Sequence, residues 1–147
     1  MKKEELIHAA MAALPNAYAP YSGFFVAAAL LAESGRIYTG VNVENASYPA
    51  GCCAERTAAF SAAAAGERRF LAIAIAGGRG GAVTDFCPPC GICRQVLREF
   101  SDPEEFLVIL AKSETEYKEY RLSELLPESF GPEYVTGTKG EHLHENV

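Results

Sequence analysis

The sequence has 147 residues and a formal net charge of −6, with 49% hydrophobic and 22% charged residues. Those totals suit one globular domain with one core, expected over residues 1–136, and count against a nucleic-acid partner, because such binding rests on Lys and Arg neutralising phosphates and no Lys/Arg cluster is present. No apolar run is long enough to span a bilayer and no signal-peptide core follows Met1, so the expected location is cytoplasmic, without a membrane partner.

Leu6, Ile7, Ala10, Met11 and Leu14 recur at helical spacing and predict a helix over 3–13, which Pro15 ends or kinks. Residues 17–23 are turn-rich. The apolar run from Phe25 to Leu31 predicts a strand buried on both faces, and Arg36 to Val43 a second strand antiparallel to it. Asn42 to Asn45 close that strand with polar side chains. Tyr48 to Gly51 lead into an Ala-rich helix over 53–65, with Gly66 at its end. Leu71 to Ala76 predict a short buried strand. Residues 77–86 hold four glycines but no Gly-Lys-Ser/Thr ending, which reads as a flexible connection and not as a phosphate cradle. A third helix is expected over 90–100, strands over 106–111 and 117–122, a helical turn over 123–126 and a polar, loose tail over 137–147. Strands alternating with helices that can cover both faces argue for an α/β fold, a three-layer α/β/α sandwich.

Five cysteines stand at 52, 53, 87, 90 and 93. Odd in number, clustered, and without a signal peptide, they read as metal-binding or redox-active before they read as a disulfide framework. Cys53 opens one predicted helix; Cys90 and Cys93 open the other. Helix N-termini favour thiolate over thiol, and residues three apart share a helical face. Cys53, Cys90 and Cys93 therefore form a candidate zinc site with three protein ligands, the number typical of catalytic zinc, where a structural zinc takes four. Cys87-x-x-Cys90 has the same spacing as Cys90-x-x-Cys93, so spacing alone leaves the pair open. Pro89 suits the turn into a helix starting near Cys90, which leaves Cys87 in the loop and, with Cys52, outside the expected site.

Glu55 lies two residues after Cys53. Zinc lowers the pKa of a water towards neutrality. A carboxylate beside it can collect the water proton, pass it to a ring nitrogen and later protonate a leaving amine. Arg56 follows directly: three thiolates around a dication leave one net negative charge, which a guanidinium hydrogen-bonding the sulfurs would offset. A surface salt bridge competes evenly for Arg56.

The pattern Cys-x-Glu…Pro-Cys-x-x-Cys resembles the zinc deaminase signature. Residues 17–22 (AYAPYS), 42–48 (NVENASY), 53–57 (CAERT), 89–97 (PCGICRQVL) and 125–132 (LLPESFGP) together resemble the small homotetrameric cytidine deaminases. The resemblance implies a five-stranded mixed sheet between helices, one zinc per subunit, a homotetramer, and hydrolytic deamination of cytidine and 2′-deoxycytidine in pyrimidine salvage. It makes Cys53, Cys90 and Cys93 the metal ligands and Glu55 the proton shuttle. Asn42 and Glu44 match residues that bind ribose hydroxyls, Phe24 an aromatic that packs on the base, and the Ala54 N–H a pyrimidine contact. Ala46, Tyr48 and Phe130 match positions lent by neighbouring subunits.

The chain also departs from that pattern. Phe25 and Ala27 stand where the family has Pro and Gly, adding bulk next to Phe24 and keeping open the deamination of another aminated nucleoside or a nucleoside antibiotic. Pro49 replaces a Gly, and Gly51-Cys52 a Thr-Ile pair. A polynucleotide editor is opposed by the acidic balance. A structural zinc module or redox protein would leave Glu55 without a task.

Overall fold

The computed structural model describes residues 2–137. The elements run α1 (Lys3–Ala13), β1 (Phe24–Ala32), β2 (Ile37–Val41), α2 (Ala54–Ala64), β3 (Phe70–Arg79), α3 (Gly91–Glu99), β4 (Leu107–Ala111), β5 (Tyr117–Arg121), α4 (Leu122–Leu125) and α5 (Pro132–Thr136), with short 3-10 turns at Leu14–Asn16 and Tyr48–Ala50. The five strands form one sheet in the order β2-β1-β3-β4-β5. It is mixed: β3 and β4 are parallel and the other neighbours antiparallel. The strand contacts follow from the alternation of side chains across a pleated sheet. Ala28, Leu30, Ile73, Ile75, Val108 and Leu110 pack against α2 and α3 on one face. Ala29, Ala72, Ala74, Ile109 and Ala111 pack against Leu6, Ile7 and Ala10 of α1 on the other. The result is the expected α/β/α sandwich.

Two differences from the sequence reading bear on the site. Gly77, Gly78 and Arg79 belong to β3 and not to a flexible connection; they pair with Val26, Phe25 and Phe24 of β1. Glycine reads as a breaker in isolation, but the β1 ladder supplies the hydrogen bonds that hold it extended. The helix α5 was not expected, because Pro132 at its first turn reads as a break unless its neighbours are known. The polar tail expected over 137–147 lies, Gly137 apart, outside the described residues. No helix among the described residues is long and apolar enough to cross a membrane.

The same alternation settles where Phe25 and Ala27 go. Val26, Ala28 and Leu30 pack on the α2/α3 side, so Phe25 and Ala27 project to the α1 side. Phe25 lines a cleft there with Met11, Leu14, Pro15, Gly80 and Gly81. The bulk expected beside Phe24 is therefore on the opposite face of the sheet from it.

The approach of α2 to the sheet is set by small residues. Ala54, Ala58, Ala59 and Ala62 form its buried face. Gly40 of β2 lies directly beneath: a Cβ there would collide with Ala58 N, Thr57 Oγ1 and Ala54 O. Thr57 Oγ1 fastens the contact by donating to Val41 O at 2.8 Å. Gly40→Ala is expected to cost about 3 kcal/mol, since backbone stands in the way and overpacking of this kind is at the costly end. Gly91→Ala, with nothing within 4 Å of its Cβ, is expected to stay within about 0.5 kcal/mol. Urea unfolding of both variants checks the contrast.

Candidate active site

Cys53 is the N-cap of α2 and Cys90 the N-cap of α3, while Cys93 lies in the first turn of α3. Both caps are extended, which turns each side chain back over its helix start. The two helices abut, so their positive ends converge. The sulfurs of Cys53, Cys90 and Cys93 all lie within 4.8 Å of one another, with Cys53 and Cys90 3.9 Å apart. Two thiolates on one tetrahedral zinc stand about 3.8 Å apart for Zn–S bonds of about 2.3 Å. The donor set, its spacing and its soft sulfur chemistry fit one zinc per chain.

Electrostatics support that fit. The Cys53 thiol is held well below the usual thiol range, first because the Cys93 thiol hydrogen-bonds to it and then because Arg56 does. Cys93 is pushed up in return, by its hydrogen bond to Cys53 and by burial. Arg56 Nη2 donates to Cys53 Sγ at 3.5 Å, and this bond raises the pKa of the guanidinium. No ion pair to Arg56 is present among the described residues; the guanidinium lies against the sulfurs and its Nε is buried without a hydrogen-bond partner. An arginine turned inward onto thiols is a cation placed to balance excess negative charge, which favours that account over the surface salt bridge.

Glu55, in the first turn of α2, is only 4% exposed. Burial pushes its carboxyl up to about 7. Among the described residues the sulfur cluster includes neither Cys87 nor Cys52. Cys87 packs against Gly77, whose added Cβ would lie 3.0 Å from its Sγ, and burial lifts its pKa to about 11. Cys52 pairs its backbone with Val43 in both directions, at 2.9 and 3.0 Å; burial raises its thiol too.

The other expected residues fall into one hydrogen-bonded chain and one exposed set. Asn42 Nδ2 donates to Phe24 O at 2.8 Å, and its Oδ1 accepts from Val26 N at 2.9 Å. Phe24 N donates to Ser22 Oγ at 3.0 Å, and Ser22 Oγ donates to Glu44 Oε2. Glu44 Oε1 also accepts from the N–H groups of Tyr21 and Ser22, both at 3.0 Å. These bonds, Ser22 foremost, hold the Glu44 carboxyl below its ordinary range. The amide of Asn42 is thus spent mainly on the β1 backbone, with one donor and one lone pair remaining. Glu44 lines an open cleft of 360 Å³ with Tyr21, Ser22, Asn45, Tyr48 and Gly51; the sulfurs and Glu55 are not among its walls. Tyr21 and Tyr48 meet edge to face at 5.9 Å. The Ala54 backbone sits at the start of α2, beside Cys53. Ala46 is exposed, as are Tyr48 at 76% and Phe130 at 58%.

Several supporting residues escaped the sequence reading. Ser22 looked like turn punctuation, although a short hydroxyl just before a strand is a recognisable backbone partner. Arg94 donates from Nε to Pro89 O at 2.8 Å and from Nη1 to Leu125 O at 2.7 Å, fixing the loop that delivers Cys90. Gln95 donates to Phe130 O at 3.0 Å, and Arg98 pairs with Glu133 and Ser129. All three lie on one turn-and-a-half of α3, a periodicity visible in the chain but without a partner to explain it there.

Residues 1–109 match the family model for the cytidine and deoxycytidylate deaminase zinc-binding region. The chain is 44% identical over 133 residues to a cytidine deaminase of Halalkalibacterium halodurans, covering 90% of this chain and 97% of that protein. It is also 44% identical to a cytidine deaminase of Sporosarcina psychrophila, covering 90% and 94%. Among solved structures, the cytidine deaminase of Burkholderia pseudomallei superposes with a TM-score of 0.79 at 45% identity, over 88% of this chain and all of that one (100%).

The sign of one pH effect follows from Glu55. Its folded pKa of about 7 lies above the ordinary 4.5, so the folded chain binds the extra proton and loses that stabilisation as pH rises through 7. In chelator-treated protein, Glu55→Gln is expected to gain about 2 kcal/mol over the parent at pH 8 and almost nothing at pH 4, read by urea unfolding at both values.

Proposed function

Because this chain belongs to the cytidine and deoxycytidylate deaminase family, we propose that it hydrolyses cytidine and 2′-deoxycytidine to the corresponding uridines with release of ammonia. The observation that carries the reading is the buried Glu55 carboxyl at the start of the same helix that brings Cys53 to Cys90 and Cys93. Cys53, Cys90 and Cys93 are the residues that would hold the zinc. When bound, zinc supplies Lewis acidity that brings a water towards hydroxide at neutral pH.

Glu55 carries the protons. It accepts one from the attacking water and gives it to the ring nitrogen next to the amino-bearing carbon; it then takes the proton of the added hydroxyl as the new C=O forms and delivers it to the departing amine. The balance is cytidine plus water to uridine plus ammonia. In the metal-free chain burial lifts the Glu55 carboxyl to about 7, and the same dry surroundings favour its uptake of a proton from a neighbouring water. Arg56 offsets the charge of the three thiolates. Phe24 packs on the base, the Ala54 N–H contacts the pyrimidine, and Asn42 and Glu44 receive the sugar hydroxyls through the hydrogen-bonding capacity their own chain leaves free.

The site is completed by neighbours in a homotetramer: Ala46, Tyr48 and Phe130 reach the sites of adjacent subunits. Large aromatic side chains at 76% and 58% exposure support this, because such rings are a cost to a lone chain. A cytoplasmic enzyme of pyrimidine salvage is the cellular form of the proposal. The net charge of −6 supports a free nucleoside over a nucleic acid. Nothing in the pocket favours another aminated nucleoside, since Phe25 lines the cleft on the α1 side.

Purified protein given cytidine is expected to show the ultraviolet change to uridine, and to lose it with a zinc chelator; no ammonia release from cytidine would refute the reading. Glu55→Ala is expected to keep its zinc and lose at least ~10²-fold in rate. Phe130→Ala is expected to raise KM only under conditions where tetramers form, which activity measured across a dilution series resolves.

A further inference from the structure

The last residue of β3, Arg79, faces Phe24 across the β1–β3 ladder. Cross-strand partners project from one face of a sheet, so the arginine stands beside the aromatic assigned to the base. Its guanidinium passes Gly23, where an added Cβ would lie 3.8 Å from Nη1. Nη1 then donates to Ser22 O at 3.1 Å. The next residue repeats the grip: Gly80 N–H donates to Gly23 O at 2.7 Å. Both glycines have left-handed backbone, with φ of 69° at Gly23 and 63° at Gly80, so two conformationally free corners are fastened to each other.

The fastened corner has a specific cargo. Ser22 donates to Glu44 through both its N–H and its Oγ, and Tyr21 adds a third donor. We infer that Arg79 is a positioning residue for sugar recognition, holding the 22–23 corner so that Ser22 fixes the Glu44 carboxylate before substrate arrives. The inference rests on the reading of Glu44 as a partner of the sugar hydroxyls. A charge-assisted bond from a guanidinium is stronger than a neutral one, and ordering Glu44 in advance removes part of the entropy that binding would otherwise meet. Arg79 touches no reacting atom in this scheme, so it acts on KM and leaves the proton steps of Glu55 alone.

The test compares zinc-loaded Arg79→Ala, Glu44→Gln and the double variant with the parent, using cytidine and 2′,3′-dideoxycytidine, which lacks both ring hydroxyls. Arg79→Ala is expected to raise KM for cytidine roughly three- to tenfold with kcat within about twofold. It should leave KM for the dideoxynucleoside, zinc content and melting temperature unchanged. In the Glu44→Gln background the Arg79 substitution should add nothing, since both act on one contact. If Glu44→Gln raises KM for cytidine and Arg79→Ala does not, or if Arg79→Ala affects both nucleosides equally, the positioning role is overturned and the sugar reading stands. If Glu44→Gln leaves KM for cytidine unchanged, the sugar reading itself falls and takes the Arg79 role with it. Should Arg79→Ala fold poorly, Arg79→Met keeps the bulk of the stem without the donors, and the same outcomes apply.

Discussion

Three cysteine sulfurs brought within 4.8 Å by two helix starts are the constraint on which the rest of this molecule depends. Left as thiolates, three sulfurs so close would repel one another. The structure answers with two helix N-termini and the Arg56 guanidinium. A zinc held by these sulfurs would supply the remaining positive charge. Each compensation requires α2 and α3 to meet end against end on the same face of the sheet, and the packing of both helices serves that requirement.

Small residues are the means. A stripe of alanines along α2 and a glycine beneath it on β2 let helix backbone approach strand backbone closely. Larger side chains would lift α2 from the sheet and carry Cys53 away from α3. The same closeness buries Glu55, and burial is what moves its carboxyl towards neutrality. Metal geometry and proton affinity are thus consequences of one packing arrangement, so a change beneath α2 acts on both.

The region proposed to receive the nucleoside is built differently. Phe24, Asn42 and Glu44 are joined by hydrogen bonds through Ser22 and the β1 backbone, near the surface. Order there comes from polar cross-links between turns. Phe130 is also presented from a pinned backbone, held by Gln95 of the helix that carries Cys90 and Cys93. Residues that meet the metal and residues turned outward therefore share α3 as a common support.

Much of this was legible in the chain. Cysteine spacing, Pro89 before Cys90 and the Ala-rich run after Cys53 identified two metal-bearing helices, because ligand spacing and helix starts are local properties. Apolar runs over 25–31, 71–76 and 106–111 identified three buried strands, because burial on both faces leaves a continuous apolar stretch, and alternation over 36–43 identified a fourth. Which cysteine pair serves the cluster was not decidable from spacing. Pro89 pointed to Cys90 and Cys93, and the structure agrees: α3 begins at Gly91 and Cys87 packs against Gly77. The face taken by Phe25, the strand character of Gly77 and Gly78, the inward turn of Arg56 and the bridge made by Ser22 emerged only with the tertiary structure. Each depends on a partner distant in sequence, and composition and periodicity carry no information about which distant backbone group or sulfur will stand opposite.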